Sequence, residues 1–371
     1  MGEVKGKLGK VVRVDEDANA EGASPAERFL DATGGLGGVN FELNDGTVYS
    51  INRLDPRFNA WLTFLRSRRE SGRPVYVEDD EGSVKEVYAP SARRVAGISR
   101  DTADGRLLVT LPPTPSPRYL NPAHPHFGDL LSKLEAAHRS NEKVLVTVNP
   151  YNDEIVDVSP ADEPDPSGVV PNGAVAELDA PADKNLTLDL SPFSIGIGDA
   201  FREFDFLATR PHIAFSYIKD CCASRAHEMC ELLRRHSVRS GKIWLYGRHY
   251  TATQSNYPLA HYTLGGVHEE NPSVVSPWLY HVAPVVSVTQ DDSSTSLMVM
   301  DPAQFRTPKS VARWIRHHGD TGARHIFSSP RVWFRSPEGV EETDDGFDLT
   351  EQELDKHRYH GNLLRLPRPS L

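Results

Sequence analysis

PHIAFSYIKDCCASRAHEMCELLRRHSVRSGKIWLYG, residues 211–247, changes its hydrophobic period partway along, and that change sets the fold class. The run IAFSYI alternates apolar and polar residues, which predicts a strand over 213–218. From Cys222 onward Ala226, Met229, Cys230 and Leu233 recur at i, i+3, i+4 and i+7, the stripe of a helix that buries one face. Asp220 or Cys221 would occupy the N-cap, and Asp is the better capping residue. Cys222 then falls in the first turn, where free backbone N–H groups and the helix dipole favour a thiolate. That placement matters because an ordinary thiol, with a pKa of about 8.5, is only a few per cent ionised at neutral pH. Most cysteines are inert, small core residues. Cys230, facing inward mid-helix, fits that description; Cys222 fits it less well.

Downstream, SVVSPWLYHVAPVVSVTQDDSS (273–294) reads as a buried strand carrying His281, and SLMVMDPAQF (296–305) as the next strand, ending at Asp301-Pro302. The DDSS between them is a turn signal. Adjacent antiparallel strands could present His281 and Asp301 side by side, facing a helix that carries Cys222. Nucleophile, base and an orienting carboxylate are what a Cys-His-Asp triad requires. Order alone proves little, because with 15 histidines in the chain some Cys…His…Asp order arises by chance.

Composition narrows the classes. The 371 residues are enough for two or three domains, and 52 acidic against 41 basic side chains give a formal charge of -11. Such a balance argues against a general nucleic-acid or anionic-membrane binder, both of which need a positive field. No stretch approaches the roughly 18 apolar residues of a membrane span. The N-terminus lacks the apolar core of a secretory signal, so a cytoplasmic location, or export by a signal-peptide-independent route, is expected. All three cysteines, Cys221, Cys222 and Cys230, lie in one short segment and cannot form a disulfide framework.

The N-terminal half reads as a duplicated β-helix-β module. GTVYSINRL (46–54), NAWLTFLRSRRESGRPVYV (59–77) and GSVKEVY (82–88) are answered by GRLLVTLPP (105–113), HFGDLLSKLEAAHRSNEKVLVTV (126–148) and DEIVDV (153–158). Each has a strand, a helix and a two-strand hairpin, with turns at EDDEGS and NPYND. The second carries an extra Pro-rich insertion, PPTPSPRYLNPAHPH. Residues 159–184, rich in Pro and acidic side chains, read as a solvated linker. The expected organisation is therefore 1–91, first module; 92–158, second module; 159–184, linker; and 185–371, the domain that carries the chemistry.

The three segments also resemble a known family. IAFSYIKDCCASRAH is similar to the nucleophile motif of the bacterial protein-glutaminases at Asp220, Cys222, Arg225, Ala226 and His227. PWLYHVAPVVSV resembles its His segment, with Trp278, Tyr280 and His281-Val282-Ala283 in register. VMDPAQF matches its Asp segment at Asp301, Pro302 and Phe305, and VWFRSPEG (332–339) looks like a later landmark. The resemblance covers about 130 residues. It implies an α+β fold similar to transglutaminases and papain-like enzymes, with Cys222, His281 and Asp301 as the triad and Trp278 and Tyr280 against the substrate. The two N-terminal modules look like the family's pro-segment, which covers the cleft until proteolysis removes it. Cys221 stands where the family shows Gly, the disulfide cysteines of secreted members are missing, and the segment between the Cys and His motifs is longer.

The reaction implied by the resemblance is hydrolysis of protein-bound glutamine side chains to glutamate and ammonia, through a thioester on Cys222 and without metal or organic cofactor. Partners would be proteins or peptides with exposed glutamine and an activating protease. A transglutaminase-like acyltransferase and a non-catalytic interaction module are the competing readings. His227 is expected to pack or hydrogen-bond. His317-His318 reads as a polar surface pair, with no third ligand at metal-site spacing.

Overall fold

The computed structural model describes residues 5–15, 38–100, 105–161, 190, 193–215, 217, 219–247, 264–268, 271–318, 323–337 and 339–366. The acidic linker beyond Ala161, and most of the long insertion between the Cys and His motifs, lie outside the described residues. The chain is mixed α+β and divides into two compact units that interleave along the sequence. One comprises 1–92, 145–158 and 359–371, the other 93–144 and 159–358.

In the first unit β1 (Lys5–Val14), β2 (Val39–Leu43), β3 (Val48–Ile51), β4 (Pro74–Asp80) and β5 (Ser83–Tyr88) close a barrel in the order β1-β2-β3-β5-β4. Helix α1 (Phe58–Ser71) ends at Gly72, whose φ of 65° supplies the left-handed C-cap. Its apolar face, Trp61, Phe64 and Leu65, is buried with Val75, Val77 and Val87 from the strands. Tyr359 stacks on Phe64 with ring centroids 3.8 Å apart and 6° between planes, so the chain's last helix contributes to this core.

The next elements are β6 (Ser91–Arg93), β7 (Gly97–Arg100), β8 (Leu107–Thr110), β9 (Arg118–Leu120), α2 (Phe127–Ser140), β10 (Val144–Val148) and β11 (Ile155–Pro160). The consecutive order β3-α1-β4-β5 is matched here only in part, by β8-α2-β10-β11 with β9 standing between β8 and α2. The sheets differ, however: β8 is central in β7-β8-β9, and β10 is central in β11-β10-β6.

After them come β12 (Ile195–Gly196), α3 (Ile197–Ala208), α4 (Cys222–Arg235), β13 (Ser240–Tyr246), β14 (Leu264–His268), β15 (Asn271–Trp278) and β16 (Tyr280–Thr289). The chain continues through β17 (Thr295–Val299), β18 (Lys309–Ser310), α5 (Val311–His317), β19 (Arg324–Ser328), β20 (Val332–Arg335), β21 (Glu341–Thr343) and α6 (Asp348–Leu364). The principal sheet of the second unit runs β18-β17-β16-β13-β19, all antiparallel, with β12 added parallel to β16. Both faces of β16 are buried, which explains its near-continuous apolar sequence. Helix α4 packs on β16 and β13, and its stripe of Ala226, Met229, Cys230 and Leu233 is 0–3% exposed.

Two expectations fail. IAFSYI forms no strand among its described residues. Its backbone carbonyls are taken instead by a side chain: the Arg225 guanidinium donates from Nη1 to the Ala214 and Tyr217 oxygens at 3.0 and 2.8 Å. A buried charged donor that satisfies the carbonyls of a loop removes the need for a sheet partner. The 273–289 run is also not one strand. It breaks at Leu279, so β15 pairs with β14 while β16 enters the principal sheet.

Candidate active site

Cys222 is the first residue of α4 and is 2% exposed. The residue before it, Cys221, occupies the N-cap with φ of 80°, in the left-handed region that favours glycine. Asp220 anchors this start: its Oδ1 accepts from the Cys221 amide at 2.7 Å. Its Oδ2 receives Arg118 Nη2 at 2.8 Å and lies 3.3 Å from His357 Nε2. Burial alone would raise the Asp220 carboxyl, but His357, Arg118 and Lys356 hold it well below the usual carboxylate range.

His281 lies near the start of β16, paired with Leu245 of β13, and Asp301 follows the end of β17. His281 Nε2 meets Asp301 Oδ2 at 2.9 Å, and the two residues are 1% and 2% exposed. The same carboxylate oxygen accepts from Trp314 Nε1 at 2.9 Å. Burial opposes ionisation of Asp301, yet His281 and the donations from His281 and Trp314 bring its pKa below the ordinary value. His281 Nδ1 is buried and has no hydrogen-bond partner among the described residues. An imidazole that donates from Nε2 to a carboxylate keeps its lone pair on Nδ1, so this atom is the basic one.

Trp278 stacks on the His281 ring, centroids 4.4 Å apart and planes 19° from parallel, and is 1% exposed. Trp314 lies 5.6 Å from the same ring. Cys222 sits beside this strand, packed in one buried cluster with Tyr280 and Val282. Burial pushes the thiol up to about 12, with Asp220 and Asp301 adding to the rise and Arg225 and the Val282 amide opposing it.

The Pro-rich insertion reaches the same elements. Pro115 O accepts from the Leu279 amide at 2.8 Å, and Pro113 O accepts from the Tyr280 hydroxyl. Ser116 Oγ donates to Lys219 O, and Arg118 donates to Asp220. Segment 113–118 is thus tied to the strand before His281 and to the loop before Cys222. Pro113, Thr114, Asp220, Cys221, Ser224 and Trp333 line a small, partly open pocket here.

His227 is buried, with Lys242 Nζ 3.0 Å from its Nδ1 and Phe347 against its ring, in the packing and hydrogen-bonding role expected of it. His318 corrects the reading of His317-His318 as a surface pair: it is 2% exposed, with its ring 5.0 Å from His281. The signal was available in the sequence, because Trp314 and His318 are four apart and share one face of a helix. Sequence reasoning also missed His357 and Glu353, which α6 brings to Asp220 and Arg93 from far along the chain.

Residues 198–318, which include Cys222, His281 and Asp301, match a family model described as glutaminase. No curated protein sequence matches. Among solved structures the chain is similar to pro-protein-glutaminase, with a TM-score of 0.50 and 20% identity, over 73% of this chain and 93% of that one. A mutant of the same proenzyme gives the same values. Protein-glutaminase from Chryseobacterium proteolyticum, solved by NMR, gives a TM-score of 0.37 at 21% identity, over 48% of this chain and 95% of that one.

Proposed function

We propose, from the glutaminase family match over 198–318, that this chain deamidates glutamine side chains in proteins through Cys222, His281 and Asp301. The observation that carries the reading is the buried His281–Asp301 pair with His281 Nδ1 left unpartnered, on the strand against which the Cys222 helix packs. His281 Nδ1 takes the Cys222 proton, and the sulfur attacks the carboxamide carbon. The carbonyl oxygen gains negative charge, which the free amides of the first turn of α4 stabilise; such a donor is worth about 100- to 1000-fold in rate. The imidazolium then protonates the departing ammonia, leaving a thioester on Cys222. His281 next activates water, which releases glutamate and restores the thiol. Asp301, fixed by Trp314, holds the tautomer and stabilises the imidazolium. Trp278 orients the imidazole by stacking, and removal of Pro113 would open the Tyr280 hydroxyl to substrate.

Segment 113–118 acts as a cover in this reading. Its ties to Leu279, Tyr280, Lys219 and Asp220 support a latent enzyme in which the chain's own insertion occupies the approach to Cys222. A protein whose name carries "pro" among the similar folds is consistent with latency.

The test is ammonia release from casein by the full chain, before and after limited proteolysis, with Cys222→Ala alongside and a primary amine in a parallel reaction. Ammonia with new glutamate, lost in Cys222→Ala and increased by proteolysis, supports the reading. Amine incorporation in place of glutamate would make the enzyme an acyltransferase, and no ammonia from any form would sink it.

A further inference from the structure

We propose that His281, Asp301 and His318 form a latent site for a zinc-like divalent cation, whose occupancy shuts the enzyme off. The three residues each offer one ligand atom, and these atoms lie within 4.8 Å of one another. All three side chains are buried, at 1–2% exposure. Ligands about 2.0–2.2 Å from a tetrahedral zinc ion sit about 3.4 Å apart, so side-chain shifts of about an ångström close the ring. Two imidazoles and a carboxylate suit zinc among the common divalent ions.

His318 is the residue the hydrolytic mechanism does not use, and it is already set up as a ligand. Its Nδ1 lies 2.8 Å from the Trp314 carbonyl oxygen, so Nδ1 carries the proton and donates it there. The lone pair is thereby left on Nε2, which is buried and has no partner among the described residues. Metal-binding histidines commonly donate their other N–H to a backbone carbonyl in this way, and ligating carboxylates are themselves hydrogen-bonded. Asp301 meets the second condition through Trp314 Nε1, at 2.9 Å. One helix, α5, with the residue that follows it, thus supplies both the ligand and the group that orients the carboxylate. Sequence spacing concealed the site, because His281 comes from β16, Asp301 from the end of β17 and His318 from the end of α5.

Inhibition follows from proton placement. In the metal-free enzyme His281 donates from Nε2 to Asp301 and keeps its lone pair on Nδ1. A cation held between Nε2 and the Asp301 oxygen replaces that hydrogen bond, and the proton leaves Nε2 and is taken up at Nδ1. The imidazole stays neutral, and the base that would deprotonate Cys222 is gone. Metal binding itself rests on geometry alone; only its inhibitory effect rests on the proposed deamidase reaction.

Cobalt(II) is the probe, because its visible spectrum reports coordination without any substrate. The full chain, stripped with a chelator, is titrated with Co²⁺ alongside Cys222→Ala and His318→Gln. The proposal expects one equivalent bound with a four-coordinate spectrum and no thiolate-to-cobalt band, the same spectrum in Cys222→Ala, and at least about tenfold weaker binding in His318→Gln. Zinc should displace the cobalt and stop ammonia release, reversibly with chelator. Loss of binding in Cys222→Ala, or a thiolate band in the unsubstituted chain, would overturn it by assigning the metal to the nucleophile. Absence of cobalt binding by the unsubstituted chain would overturn it whatever the fate of His318→Gln, and does so without reference to catalysis.

Discussion

The Cys222 thiol should be one of the least reactive in the chain while the protein is intact. Burial moves its pKa from an ordinary 9.0 to about 12, so at neutral pH the thiolate population falls by about three powers of ten. A more basic thiolate is a better nucleophile, with a Brønsted slope of about 0.4–0.5, which restores about 20-fold over three units. Ionisation alone therefore leaves alkylation about 50-fold slower than for an exposed peptide thiol, before any steric shielding by segment 113–118. The assay is the rate of iodoacetamide addition at Cys222 between pH 6 and 10, located by fragment-ion mass spectrometry, which separates it from Cys221. Slow modification that climbs up to the top of this pH range, and accelerates after limited proteolysis, is the expected result. Modification at the rate of a peptide thiol, with an apparent pKa below 8, would refute the reasoning. It would mean that Cys222 and His281 already form an ion pair in the intact chain.

Asp301→Asn should fold and lose about 1,000- to 10,000-fold in kcat, because an amide favours the wrong imidazole tautomer; steady-state ammonia release checks this. Trp314→Phe removes the second donor to Asp301, at a cost of about 1.5–3 kcal/mol for a hydrogen bond to a charged group, and should lower kcat more than it raises KM. Cys221→Gly relieves a left-handed conformation that costs about 1–2 kcal/mol for a side-chain-bearing residue, and should leave deamidation intact; a thermal melt and a rate measurement decide both points. Acid should destabilise the protein below pH 6.5 through His227, whose pKa burial and Lys242 lower to about 3. Between pH 6.5 and 3 the unfolded chain binds the proton and the folded one does not, so stability falls with pH. At pH 5 this single group costs about 2 kcal/mol, and His227→Gln should lose that much less stability than the unsubstituted chain between pH 7 and 5 in urea titrations.

How much was legible depended on whether the deciding force was local. The start of helix α4 at Cys222 and its buried stripe were readable, since both are written in nearby positions. The juxtaposition of His281 with Asp301 was readable too, because a turn between two apolar runs dictates an antiparallel pair. The non-strand at 213–218 was not, for its cause is a guanidinium eight to eleven residues away in sequence that binds its carbonyls. The break at Leu279 was hidden by an apolar run that continues through it. Neither Arg118 nor His357 could be connected to Asp220 from the sequence, with separations of 102 residues and 137 residues along the chain (220 − 118 and 357 − 220). The interleaving of the compact units, which sends Tyr359 and Leu363 into the barrel core, has the same character.

The central claim is that the Cys222-His281-Asp301 group converts glutamine to glutamate in another protein. Its most direct measurement maps every glutamine of a casein substrate by peptide mass spectrometry, with released ammonia counted in the same reaction and Cys222→Ala as control. The account predicts one ammonia for each new glutamate, no cleaved peptide bonds, and neither product with Cys222→Ala. Backbone cleavage in place of deamidation, or glutamate formation that persists in Cys222→Ala, would contradict it.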